Sequence, residues 1–278
     1  MKILADSCCD LSPELRERTK ACIAPLTVTI SGVDYVDDGT VEIAPYLAAM
    51  KNCKEPARSA CPSPDLYATA MKDDDCFVVT LSSKLSGSYN AAMLGKDLAL
   101  EEAPERRIHV FDSESASAGE IYIALMIRDL IDAGLSFDEI VAAVDQKISS
   151  LHTLFVLESL DNLVKNGRVS KAVGLVAGVL SIRLVMSDDG HGNIKNISKA
   201  RGTKAALAQM VENCRKHTDG LPEGSQRLVL TYCNCPERAE QVVHMIREKC
   251  PAIGEIVTVP TGALSSMYAN DGGIIIAY

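Results

Sequence analysis

The chain has 278 residues, 47% of them hydrophobic, with a net charge of -9 and ten cysteines. That length and apolar content suit two domains of ordinary size. The acidic balance excludes nucleic acid as a partner and leaves only transient membrane contact, because attraction to either rests on a positive field. The cysteines are spread from Cys8 to Cys250, which reads as reduced thiols in a chain able to build its own core. Cys233 and Cys235 have no second pair or histidines at ligand spacing, so no metal and no cofactor is expected. The opening MKILADSCCD reaches a charge before a signal-peptide apolar region develops, and the apolar run 172–182 is too short to cross a bilayer. A cytoplasmic location is expected.

Short apolar runs alternate with segments of helical period, the pattern of an α/β fold. The chain opens with a strand over 2–5, a helix over 12–20 and a strand over 22–30, then a polar Gly/Asp turn region. Helices over 41–52 and 64–72 flank a loop through Ser59 and Pro62. The strand 76–80 runs into the loop SSKLSGS and a helix over 89–100, and the strand 107–111 runs into DSESASAGE and a helix over 121–133. A second unit begins near residue 151 with a strand over 152–157, a segment over 160–165, the turn NGRVS and a helix over 171–180. Strands over 182–186 and 193–198 flank DDGHGN, a hairpin signal. A helix over 203–216, a strand over 227–232, a helix over 237–249 and strands around Ile256 and Ile274 complete it. The expected architecture is two α/β domains, 1–150 with a mostly parallel sheet and 151–278.

In open α/β sheets, ligands sit beyond the carboxyl ends of strands. The loop Ser82, Ser83, Lys84, Leu85, Ser86, Gly87, Ser88 stands in that position and suits a small anionic group. Ser86 or Ser88 also has an ordinary reading as a helix cap, and Gly87 lets backbone approach a ligand closely. Ser59 and Ser63 in SACPSP, and Asp112, Ser113, Ser115 and Ser117 in DSESAS, also stand near helix starts. Hydroxyls without a neighbouring base suit binding a carboxylate or phosphate better than nucleophilic attack. There is no G-x-S-x-G elbow, S-x-x-K dyad, Walker A loop or G-x-G-x-x-G opening a helix. The five histidines fall in strands, hairpins or amphipathic helices. Arg168, Arg183 and Arg201 recur beside turns or strand ends, where they could contact phosphate or a partner, or form surface salt bridges.

Taken in order, ILADSCCDLS, SACPSP, SSKLSGSYNAA, FDSESASAG, LDNLVKNGRVSKAVGLVAGVLSIR and KARGTKAAL resemble the DegV family over nearly the whole chain. The resemblance implies a two-domain α/β protein that holds a long-chain fatty acid in a buried tunnel between or near the domains. It also implies a carrier rather than an enzyme, one that presents the carboxylate to a partner fatty acid kinase. Ser59 stands where the family often has a carboxylate-binding threonine; Ser82, Ser83, Ser86, Gly87 and Ser88 form the second hydroxyl loop. Aliphatic residues such as Leu125, Ile127, Leu175, Val176, Val179 and Leu180 are candidates for the tail lining, with plain core packing as the alternative.

This chain departs from the family in three places. Arg183 and Leu184 stand where a lysine and proline are frequent, Pro260 where many relatives have a histidine before Thr-Gly, and Cys8 and Cys9 where serines are common. Two other readings stay open: a phosphate- or acyl-transfer enzyme using the serine loops and arginines, and a lipid-sensing interaction module.

Overall fold

The computed structural model describes residues 1–53, 55–177 and 181–278, without the side chains of 175–177. The first half runs β1 (Lys2–Asp6), a 3-10 turn (Ser7–Cys9), α1 (Pro13–Thr19), β2 (Ala21–Ala24), β3 (Thr27–Ile30), β4 (Val33–Val36) and α2 (Ile43–Asn52). It continues with β5 (Arg58–Ala60), α3 (Pro64–Ala70), β6 (Cys76–Thr80), α4 (Ser88–Glu102), β7 (Ile108–Asp112), α5 (Ala118–Asp132) and α6 (Phe137–Ile148). The second half runs β8 (Thr153–Val156), α7 (Asp161–Lys165), α8 (Lys171–Ala177), β9 (Ile182–Asp188), β10 (Ile194–Arg201) and α9 (Thr203–His217). It ends with β11 (Gln226–Tyr232), α10 (Pro236–Lys249), β12 (Ile253–Pro260), α11 (Ala263–Ala269) and β13 (Ile274–Ala277). Serine caps start several helices: the side chains of Ser12, Ser63 and Ser136 accept from the amides of Leu15, Leu66 and Glu139.

The α/β architecture is as expected. A parallel sheet of order β2-β1-β6-β7 draws on the first half, and a mixed six-stranded sheet of order β10-β9-β8-β13-β11-β12 on the second. β6 is buried along its whole length, as a strand covered on both faces must be. In β8 and β13 the period of two splits the side chains. Phe155 and Ile275 face one apolar cluster, while Leu154, Val156, Ile274 and Ile276 face the other.

The strand expected over 22–30 is two strands in different sheets. Pro25 has no amide to donate, and Leu26 turns inward, its amide donating to Ser7 Oγ and its carbonyl accepting from the Asp37 amide. β3 then centres a small antiparallel sheet of order β4-β3-β5. Residue 150 falls between α6 and β8, yet the core continues past it. α5 packs Ile121, Leu125 and Ile127 with Phe77 and Phe111 on one side and with Val229, Val259 and Ala277 on the other. Leu125 and Ile127, candidates for the tail lining, pack in this core: both are fully buried, and neither borders the cavity described below.

Candidate functional site

The loops after β1, β6 and β7 leave the carboxyl edge of the parallel sheet and meet the Phe155/Ile275 face of the second sheet. Between them lies a cavity bordered by residues of those loops and of the second sheet. Its middle is apolar: Leu26, Leu81, Phe155, Leu157, Leu264 and Ile275 contribute walls from six separate elements or loops. That lining fits an organic ligand with a long apolar part.

Polar side chains collect at both ends of the cavity. At one end Ser59 of β5, Ser86, Arg168 and Tyr268 of α11 border it together, each half-buried. The Ser59 and Tyr268 hydroxyls lie 3.5 Å apart. Arg168 is oriented by donating from Nε to the Leu85 carbonyl at 2.9 Å and from Nη1 to the Asn166 carbonyl. Asn166 in turn donates to the Ala57 carbonyl at 3.2 Å, joining the turn after α7 to the start of β5. Ser86 Oγ accepts from the Ser88 amide at 3.2 Å, which leaves its proton available to a ligand. Three hydroxyls and a guanidinium are a donor set for an anion, and a carboxylate leaving water needs such donors.

At the other end Ser115 and Thr153 share a hydroxyl hydrogen bond of 2.7 Å, and the Thr153 amide donates to Asp188 at 2.8 Å. Glu114, Gly192 and Asn193 complete this end. The residues bordering this end include the carboxylates of Glu114 and Asp188 and no lysine or arginine, so the end does not favour a second anion.

Several expected site residues have other work. Ser82 is fully buried and its hydroxyl donates to the Gly192 carbonyl at 2.7 Å. Ser83 uses its amide on Asp112 at 3.0 Å and does not border the cavity. Gly87 starts α4 with Cys61 Sγ 3.5 Å from where a β-carbon would stand. Ser88 donates to Asp6 at 2.6 Å and meets the Tyr67 hydroxyl at 2.7 Å, a buried network behind the cavity. The side chains of Leu175 and Val176, and all of Val179 and Leu180, lie outside the described residues.

The three arginines do not share a site. Arg168 borders the cavity; Arg183 forms a forked pair with Glu158 at 2.7 and 2.9 Å, where Arg238 also binds; Arg201 is exposed at the end of β10. Pro260 is exposed at the end of β12, away from the cavity. Cys8 borders the cavity with Sγ 3.8 Å from Ser265 Oγ, whereas Cys9 packs in the core. Tyr268, on a helix the hydropathy pattern did not indicate, borders the donor end and was missed by sequence reasoning, as were Thr153 and Asp188 at the other end.

Beneath the cavity floor lies a set of buried acids. Burial pushes the Asp6 carboxyl up to about 6, against the opposing pull of donors from Ser88, Leu81 and Cys8. Burial, with Asp37 nearby, pushes Asp10 up to about 7, and Glu120 is raised well above the usual carboxylate range by burial and Asp6. Asp6, Cys8 and Glu120 bring ligand-type atoms within 4.8 Å of one another. Their raised proton affinities favour neutral acids over metal-binding anions. Among the described residues, no helix is long and apolar enough to cross a membrane.

The whole chain, residues 1–278, matches the family described as "Uncharacterised protein, DegV family". A DegV domain-containing protein of Streptococcus pneumoniae is 38% identical over 280 residues, covering 100% of this chain and 98% of the relative. Among solved structures, a DegV-family protein of Ruminococcus gnavus, refined with vaccenic acid, is similar with a TM-score of 0.92 and 38% identity, covering 100% of this chain and 99% of that one. The Fatty Acid Kinase (Fak) B3 protein of Streptococcus pneumoniae, loaded with linoleic acid, is similar with a TM-score of 0.90 and 36% identity, covering 100% and 98%. A DegV-family protein of Eubacterium eligens, loaded with heptadecanoic acid, has a TM-score of 0.91 and 30% identity, covering 100% and 98%.

Proposed function

Because the chain belongs to the DegV family, we propose that it binds one long-chain fatty acid in this cavity and presents the carboxylate to a partner fatty acid kinase. The observation that carries the reading is the apolar cavity with its anion-binding donors gathered at one end, Ser59, Ser86, Arg168 and Tyr268. The carboxylate sits among those four, and the tail runs inward past Leu157, Phe155 and Ile275. Each buried methylene contributes about 0.8 kcal/mol, so the tail supplies most of the affinity.

The chain acts as a carrier and not as an enzyme. The hydroxyls at the head-group end have each other, Arg168 and backbone for neighbours, with no base among the residues bordering that end to activate them. A second substrate for the carboxylate has to come with the partner. Arg201, exposed and outside the cavity, is a contact for that partner.

Mass spectrometry of a solvent extract from purified protein, before and after delipidation, tests the reading. A stoichiometric fatty acid that rebinds after removal is the expected result. An empty extract with no rebinding overturns it.

A further inference from the structure

Resting on the fatty-acid reading, we propose that the hairpin tip 188–193 is the end wall that sets the longest acyl chain the cavity takes, with Ser82 as the positioning residue that holds it shut.

The tip is rigid within itself. The Asp189 side chain accepts from the amides of His191 and Asn193 at 2.9 and 3.0 Å, and its amide donates to the Asn193 carbonyl at 3.0 Å. Gly190 and Gly192 take φ of 83° and 82°, where a side chain is strained. Such a tip moves as a unit, and its position depends on what fastens it. The Ser82 hydroxyl donates to the Gly192 carbonyl, and the Ser82 amide donates to the Ser115 carbonyl at 2.8 Å. Ser82 thereby ties the tip to the loop after β7. The contact is close: a β-carbon on Gly192 would stand 2.3 Å from Ser82 Oγ.

The hairpin brings Asp188, Gly192, Asn193 and Ile194 to the cavity. Gly192 is buried and borders the cavity, while its neighbours His191 and Asn193 are exposed. Its carbonyl already accepts from Ser82, and a methyl group pressed against this end strips water from Asp188 and Glu114. Beyond it a small hollow, lined by Ile148, Leu151, His152 and Gly190, shares Glu114, Ser115 and Asp188 with the cavity. A tail has somewhere to go once the wall yields.

The test titrates delipidated protein with straight saturated fatty acids from lauric to behenic acid. In the wild type, affinity is expected to rise about fourfold per methylene and then stop at the wall. In Ser82→Ala, which removes the fastening, and in Gly192→Ala, which wedges it open, the rise is expected to continue to longer chains. Ser83→Ala, in the same loop but off the wall, is expected to stop with the wild type.

The same stopping length in folded Ser82→Ala and Gly192→Ala overturns the proposal. A second measurement needs no variant: a fatty acid of the limiting length with a diazirine at its methyl end should label the peptide 188–194 of the wild type, and labelling only elsewhere overturns it. If the wild type binds none of the series, the fatty-acid reading itself has failed.

Discussion

The hydroxyls of Ser59 and Tyr268 lie 3.5 Å apart although 209 residues separate them in the chain. One comes from the edge of the small antiparallel sheet, the other from a seven-residue helix near the C-terminus. A hydrogen bond to a charged group contributes about 1.5–3 kcal/mol, so Ser59→Ala and Tyr268→Phe are each expected to weaken fatty-acid binding tenfold or more. The double variant should cost less than the sum, since both hydroxyls serve one carboxylate. Isothermal titration of the four proteins checks this; strict additivity would place the two hydroxyls at different groups.

Ser86 and Ser88 are two residues apart and are expected to fail in different ways. Ser86 borders the cavity, so Ser86→Ala should raise Kd and leave the melting temperature within a degree or two, as surface changes of about 0.5 kcal/mol do. Ser88 is buried against Asp6 and Tyr67. Ser88→Ala strands both partners and should cost about 1–3 kcal/mol of stability with little change in affinity. Paired denaturation and binding curves separate the two outcomes.

Leu125→Ala is expected to cost about 2–5 kcal/mol of folding stability, the range for truncating a fully buried leucine, while leaving fatty-acid affinity unchanged once folded. A variant that instead keeps its stability and loses tail affinity would return Leu125 to the acyl wall.

How far these residues were legible in the sequence follows from which forces placed them. The parallel strands were readable because burial on both faces makes them continuous apolar runs, as in CFVVT of β6. The loops after them were readable as ligand positions for the same topological reason. Which serine in SSKLSGS faces the ligand was not, because Ser82, Ser86 and Ser88 differ only in long-range partners: Gly192, the cavity and Asp6. α11 hid for another reason. Its seven residues bury Ala263, Leu264, Ser265, Ser266, Met267 and Ala269 nearly all round, so it has no polar stripe to give a helical period. Tyr268 was lost with it, and Pro260, the nearest departure visible in sequence, drew attention to a strand end outside the site.

Asp10 offers a pH test with a defined sign. Its carboxyl accepts from the Gly262 amide at 2.8 Å and from Ser117 Oγ, and burial lifts its pKa to about 7 from an ordinary value of 3.8. The folded chain therefore holds this proton more tightly than the unfolded chain does. An acid raised in this way contributes stability that is fully present below the unfolded pKa and is lost as pH rises through the folded pKa. Between about pH 4 and 7 the Asp10 contribution falls by up to about 1.4 kcal/mol per pH unit, and above that it is gone. An asparagine in its place cannot ionise, yet it suits the site. The side-chain carbonyl of an asparagine can accept from Gly262, its amide can donate to Ser117, and Ser117 can pass its proton to Thr231 Oγ1 at 2.7 Å. The φ of 41° at this position is one asparagine adopts readily. Asp10→Asn is expected to flatten this part of the stability profile and to leave the variant more stable than wild type above pH 7. Urea denaturation across about pH 4 to 8 checks it, spanning the window set by the ordinary and raised pKa values. A wild-type profile that rises with pH as steeply as the variant's would mean that Asp10 is ionised in the fold, held by donors that outweigh its burial.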